Sequence, residues 1–404
     1  MLPIEIKPDI FWVGALDYDN RDFHGYSRSP QGTTYNAYVI KDEKTALFDC
    51  VKADLGDIFL RRLEKVTALN KIDYLICHHL ELDHSGVLPR LVEMVKPKKI
   101  LCSPAGLKSI HGHFNTAGWP IEAVKTGDSL CLGRHNIKFM ETPMLHWPDS
   151  MISYVPEARL IISNDIFGQN IASPERFSDE IPRHRLEQAA KEYYFNIILP
   201  YSGNVLKSLK QLADTGWDID MIDPDHGLIL RGASEAAWAI NSYQAFAEQK
   251  PKAAALIVFD TMWRNTEEMA HYIAEGFDRV GVMAHVMSLK ANHHSAVMTR
   301  LADCGALVAG SPTHNNDVLP LLHNTLSYIK GLRPKNRLGG AFGSYGWSGE
   351  GVKVLGEMLT AMRFELPVEP VKCQYAPDQE ALARCEDLGR QIGEALLKKC
   401  EGEV

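Results

Sequence analysis

The sequence predicts two α/β domains in tandem: an α+β or layered α/β/α domain with much antiparallel sheet, then a doubly wound parallel sheet. Three observations carry this reading. Short β-like runs crowd roughly the first 250 residues with few helices between them, strands and amphipathic helices alternate strictly afterwards, and a polar, Pro-bearing connector at 248–252 (EQKPK) separates the two patterns. Domain one is expected over residues 1–249 and domain two over 253–404.

In the first domain the opening MLPIEIKPDIFWVGAL reads as strand with turn residues. NAYVI, TALFDC, DYLIC, KKILCS, IKFMETPM and RLIISND then read as strands, with helices at Asp57–Val66 and around Leu186–Tyr194. In the second, strands are expected at AALIVF (254–259), VGVMAHVMSL (280–289), ALVAG (306–310), RLGGAF (337–342) and PVKCQ (370–374). Helices follow them: TEEMAHYIAEGFDRV, SAVMTRLADC, LPLLHNTLSYIKGL, GEGVKVLGEMLTAM, and a last one from Asp378 to Lys399. Five βα units in a row are the pattern of a parallel sheet covered on both faces.

The 404 residues allow roughly two to three domains with ample core. A 45% hydrophobic and 23% charged composition is that of a globular protein, and a net charge of −8 argues against a nucleic-acid surface. No apolar run approaches the ~20 residues of a membrane span, and the N-terminal stretch lacks the basic-then-apolar pattern of a signal peptide. Cysteines 50, 77, 102, 131, 304, 373, 385 and 400 are scattered without any C-x-x-C pair, so no disulfide framework and no rubredoxin-type iron site is encoded. A cytoplasmic protein is expected.

A doubly wound sheet binds ligands at the carboxyl ends of its strands, where strand order reverses. The loops there read DTMWRNTEE (260–268), SPTHNND (311–317) and GSYGWSGEG (343–351). In the first, Thr261, Met262, Trp263, Asn265 and Thr266 lead into a helix N-terminus, where backbone N–H groups and small polar side chains suit a phosphate monoester. It is neither G-x-x-x-x-G-K-[ST] nor G-x-G-x-x-G, which disfavours a nucleoside triphosphate and a dinucleotide. Tyr345 and Trp347 can lie against a flat ring, while Ser311, Pro312, Thr313, Asn315, Asn316, Ser344, Gly346 and Gly349 can bond or approach its edge. This half resembles flavodoxins, which implies FMN; it departs from them at Asn265, where a hydroxyl residue is commoner.

In the first half, DYLIC leads into HHLELDHSG (78–86). The spacing His79-x-Glu81-x-Asp83-His84 offers four ligands within six residues, at a strand end where lone pairs can converge. His78 reads as polar surface. His146, Asp165 and His226 stand in TPMLHWPDS, LIISNDIFG and IDPDHG; each alone could be a turn or capping residue. As a series they match the ligand order of the metallo-β-lactamase fold, so this half resembles that superfamily and an αββα sandwich is implied. TGDSLCLG (126–133) fits a sheet-edge turn of that fold and is not a lipase nucleophile. Zinc hydrolases of the superfamily carry H-x-H-x-D-H, whereas Glu81 stands here in place of the second His. The resemblance then implies His79, Glu81 and His146 for one metal, Asp83, His84 and His226 for the other, and Asp165 as bridge. His84 directly follows Asp83, and adjacent loop side chains seldom both reach one ion. Two imidazoles and a carboxylate per metal suit iron, which cycles between oxidation states as zinc cannot.

Together, H-x-E-x-D-H (79–84), LHWPD (145–149), SNDIFG (163–168), PDHG (224–227) and SPTHNN (311–316) resemble the flavodiiron proteins over nearly the whole chain. That resemblance implies reduction of O2 to water or of NO to N2O at a diiron centre fed by FMN, in a head-to-tail homodimer or a dimer of dimers. His24, Tyr26 and Tyr194 are expected to line the pocket and handle protons, with Phe23, Trp147 and Tyr193 as further candidates. A separate rubredoxin is the expected electron donor. The rival expectations are a zinc hydrolase with an appended flavodoxin-like domain, and an electron carrier whose first half is a degenerate docking module.

Overall fold

The computed structural model describes residues 2–402. Contacts divide the chain into two units: Met1–His24, Ser29–Tyr194 and Tyr201–Ala247 form one, and Gly25–Arg28, Phe195–Pro200 and Glu248–Val404 the other. The two short excursions depart from a single boundary near residue 250, because their bonds are to helices of the second unit. Tyr26 C=O faces His294 Nε2 at 2.7 Å, Arg28 N–H donates to Ser295 Oγ, and Asn196 bonds Thr299 and Tyr328.

In the first unit a seven-stranded sheet runs in the order Ile4–Lys7, Ile10–Trp12, Tyr38–Ile40, Thr45–Phe48, Ile72–Ile76, Lys99–Cys102, Ile121–Ala123. A six-stranded sheet runs Ser129–Cys131, Asn136–Glu141, Met151–Val155, Leu160–Asn164, Met221–Pro224, Leu230–Arg231. The two-residue period of a strand explains how they stack. Tyr38, Ile40, Phe48, Tyr74, Ile76 and Leu101 pack against Phe139, Met151, Val155, Leu160 and Ile162 of the other sheet. Their neighbours Val39, Leu47, Leu75 and Ile100 face outward onto Phe59, Leu63, Leu88 and Leu91 of the covering helices. Strands buried on both faces in this way read as continuous apolar runs.

In the second unit five parallel strands take the order Met283–Ser288, Ala254–Phe259, Ala306–Gly310, Leu338–Tyr345, Val371–Gln374, which in chain order is 2-1-3-4-5, the flavodoxin-like sequence of strands. The switch point lies between Ala254–Phe259 and Ala306–Gly310. The fourth strand outruns its expected end at 342, because Phe342 to Tyr345 pair residue by residue with Val371 to Gln374. The edge strand begins at Met283 rather than 280, since Val280 and left-handed Gly281 form the turn that precedes it.

Candidate metal centre and anion-binding loops

All seven predicted ligands follow strand ends of the first unit, and the structure brings them together. His79, Glu81, His146 and Asp165 form one group, and Asp83, His84 and His226 a second. Asp165 faces both: its Oδ2 lies 3.6 Å from His79 Nε2 and 3.2 Å from His146 Nε2, while its Oδ1 lies 3.2 Å from His84 Nε2 and 3.5 Å from His226 Nε2. Glu81 Oε2 completes the first group at 3.3 and 3.5 Å from the same two imidazoles, and Asp83 Oδ2 the second at 3.4 Å from both of its own. Ligand atoms about 2.1 Å from one ion at tetrahedral angles stand about 3.4 Å apart. Adjacent Asp83 and His84 reach the same group because they ride a helical turn, Leu82–Ser85, whose side chains diverge by about 100° per residue.

Asp165 is 1% and His84 2% exposed, yet both carboxylate oxygens of Asp165, both ring nitrogens of His84 and Asp83 Oδ1 lack hydrogen-bond partners. Buried polar atoms are ordinarily paired, so this cluster of orphan lone pairs fits a pair of cations. Two imidazoles, a terminal carboxylate and a share of Asp165 per position form a donor set suited to iron.

Outer partners orient the ligands. His79 Nδ1 bonds Asp149 Oδ1 (3.1 Å), whose other oxygen accepts Leu80 N–H, and His226 Nδ1 donates to Thr34 C=O at 2.7 Å. Each bond directs the opposite nitrogen inward. Asp149→Asn is therefore expected to weaken metal binding by about 10- to 100-fold, read as metal retained after graded chelation.

Electrostatics point the same way. Burial opposes protonation of His79, but Asp149 and Glu81 outweigh it and raise its pKa to about 10; burial likewise opposes protonation of His84, and Asp83 with Asp165 carries it well above the usual range. At pH 7 the metal-free cluster thus stores protons on both imidazoles, and a metal must displace them. Binding is expected to release about two protons per chain at pH 7 and to weaken as pH falls. Calorimetry in buffers of different ionisation enthalpy counts them.

The expected pocket residues separate. His24 is exposed, packs edge-on against Phe23, and lines a cleft of about 920 Å³ that also includes Asp83 and Tyr35. Tyr26 groups instead with the second unit. Tyr194 turns its ring to Tyr243 and Phe246, with its hydroxyl 3.1 Å from Ser202 Oγ, and Tyr193 is the one beside the ligands, 5.7 Å from the His226 ring. The reason is local: Tyr193 ends the helix Arg183–Tyr193 and Tyr194 begins a π turn, so consecutive side chains take different directions. His78 is not surface either. It is fully buried, bonded to Asp49 Oδ2 (2.5 Å) and Ser153 Oγ (2.7 Å), because alternation along the chain sends it between the sheets when His79 faces the ligands. Sequence reasoning missed Asp149, although it stands inside LHWPD three residues after His146.

In the second unit the three loops occupy the strand ends at and beside the switch point. The helix Asn265–Asp278 begins after left-handed Arg264 with no side-chain cap, leaving its first N–H groups for an anion. Thr266 Oγ1, wholly buried, has no partner there, a second orphan that fits a phosphate. Asn265 Nδ2 donates to Tyr375 C=O, and Thr261 N–H to Asp260 Oδ1. Ser311 is spent internally, its hydroxyl taken by Leu319 N–H and Pro312 C=O. Thr313 N–H donates to Ser344 C=O, which ties the second loop to the third, and Asn315 and Asn316 are both left-handed within the turn that His314 and Asp317 close. Gly349 has φ +85°, and a Cβ there would press on the Tyr345 ring. Met262, Trp263 and Trp347 are exposed, the two tryptophans by 85% and 86%.

The chain matches the family model "ODP family beta lactamase" over residues 33–227 and that of flavodoxin over 257–389. It is 50% identical to a rubredoxin-oxygen oxidoreductase of Megalodesulfovibrio gigas, covering 96% of each chain. It is 41% identical to a nitric oxide reductase of Moorella thermoacetica, covering 96% of this chain and 98% of that one. A solved structure of the flavodiiron protein from Giardia intestinalis superposes with a TM-score of 0.95 at 28% identity, covering 100% and 98% of the two chains.

Proposed function

Because this chain belongs to the flavodiiron family, we propose that it is an oxidoreductase that reduces O2 to water at a diiron site fed by FMN, with electrons from rubredoxin. The observation that carries this reading is Asp165, whose two oxygens divide between two imidazole pairs, each with its own carboxylate. A zinc hydrolase would carry imidazole at position 81, and a mere electron carrier would not keep seven convergent ligands.

His79, Glu81, His146, Asp83, His84 and His226 would hold the two irons with Asp165 between them. Thr261, Asn265, Thr266, Thr313, Asn315, Asn316, Ser344 and the Gly346–Gly349 turn would hold FMN, with Tyr345 and Trp347 against its ring. When bound, the irons supply two electrons and the flavin two more, the four that one O2 needs. The chain's own part is to orient and to shield. Asp149 and the Thr34 carbonyl fix the imidazoles, and Phe23 and Trp147 place apolar surface beside them. His24, which lines the cleft, would relay protons from solvent.

The exposed Met262, Trp263, Trp347 and Tyr375 support a second copy of the chain as partner, since large apolar side chains left in water favour association. A head-to-tail homodimer would let one chain's flavin serve its partner's irons. Among the described residues no helix is long and apolar enough to cross a membrane, and the cysteines there form no disulfide; both support a cytoplasmic setting.

The second reading, NO to N2O on the same site, is favoured by the Moorella relative. Anaerobic mixing of the holoenzyme with reduced rubredoxin and then with each gas tests both. Four-electron O2 uptake with the higher kcat/KM supports the first reading. Metal analysis returning two zinc ions with no gas consumption would refute both.

A further inference from the structure

Beside each half of the ligand cluster stand oxidisable aromatic rings that the proposed chemistry leaves unused. Trp147 stands edge-on to His79 with ring centres 5.0 Å apart and lies 6.4 Å from His146, so it touches the first ligand group alone. Tyr193, 1% exposed, lies 5.7 Å from His226 in the second group, within the field of the Asp165 carboxylate. Tyr35 is as near to His226, at 5.6 Å, but Lys52 Nζ sits 5.1 Å from its ring centre, and a cation there opposes removal of an electron.

We propose that Trp147 and Tyr193 are auxiliary electron donors, one to each metal position, that complete O2 reduction when the flavin has no electrons to give. This rests on the reading of the site as an O2-reducing iron pair. With only the irons reduced, two electrons are available and four are required. The balance closes as O2 + 2 Fe(II) + the Trp147 indole + the Tyr193 phenol + 2 H⁺ giving 2 H2O + 2 Fe(III) + an indolyl and a phenoxyl radical. Each ring surrenders one electron and one proton, from Nε1–H and from the phenolic O–H. The remaining two protons come from solvent, and no partly reduced oxygen leaves the site.

The test is freeze-quench electron paramagnetic resonance on the holoenzyme, reduced by two or by four electrons per chain and mixed with O2. Protein carrying ring-deuterated Trp or ring-deuterated Tyr separates these radicals from a flavin radical, which neither label alters. The expected result is a label-sensitive signal in the two-electron sample that is lost in the four-electron sample. Trp147→Phe should remove its Trp-labelled part and Tyr193→Phe its Tyr-labelled part. No label-sensitive signal at two electrons, a signal of equal size at four, or one that survives both substitutions overturns the inference while fully reduced enzyme still makes water from O2. Failure of the fully reduced enzyme to consume O2 overturns the proposed function, and the inference with it. Because labelling is applied to the unaltered chain, the outcome does not depend on the variants folding.

Discussion

Asp165→Ala is expected to empty both metal positions at once, whereas Glu81→Ala and Asp83→Ala should each weaken mainly one. Asp165 is the residue whose two oxygens serve different imidazole pairs. Its removal takes an anion from each group and also the charge that offsets two adjacent cations. Loss of an outer-sphere partner alone costs about 10- to 100-fold in affinity, so loss of this shared ligand should exceed about 100-fold and lower gas turnover at least as far. Iron content after gel filtration measures the first, and O2 uptake the second. FMN content is the control, since the flavin loops belong to the other unit, and it should stay at the unaltered level. Retention of two irons by the variant would remove Asp165 from its bridging role.

How much of this was legible in the residues follows from where the ligands sit along the chain. Glu81 and its three companions share one loop after a buried strand, so spacing alone marked them. His146, Asp165 and His226 lie on separate strand ends up to about 150 residues away and were legible only as a series resembling a known fold. Asp149 stayed hidden because an Asp after Trp-Pro looks like a turn residue; only the folded loop shows it reaching His79. Tyr193 and Tyr194 could not be told apart, since the π turn that separates them leaves no periodic mark. The βα alternation of the second half was legible because each helix buries one stripe and each strand runs long enough to show. The two- and three-residue pieces Ala15–Asp17, Asp22–Phe23 and Ser27–Arg28 were not, because so few positions cannot display a period.

Thr266→Val is expected to move flavin affinity and apoprotein stability in opposite directions, and that opposition is what distinguishes a ligand-binding hydroxyl from a structural one. Thr266 Oγ1 is buried with no hydrogen-bond partner within the protein. An unsatisfied buried polar group costs about 1–3 kcal/mol. Valine keeps the shape and the β-branch while removing that group, so the apoprotein should be stabilised by about 1–2 kcal/mol, seen as a higher midpoint in denaturant. In the holoprotein the hydroxyl would donate to a phosphate oxygen, and a hydrogen bond to a charged group is worth about 1.5–3 kcal/mol. Its loss should raise the FMN dissociation constant by about 10- to 150-fold, measured by recovery of flavin fluorescence on dilution. A hydroxyl serving only the fold would behave otherwise: valine would lower stability and leave FMN affinity alone. The same reasoning explains why the helix Asn265–Asp278 starts without a side-chain cap. A cap there would satisfy the first N–H groups in the apoprotein and so compete with the phosphate for them. Uncapped amides and an orphan hydroxyl are tolerable in this loop if the ligand that satisfies them is present whenever the enzyme works.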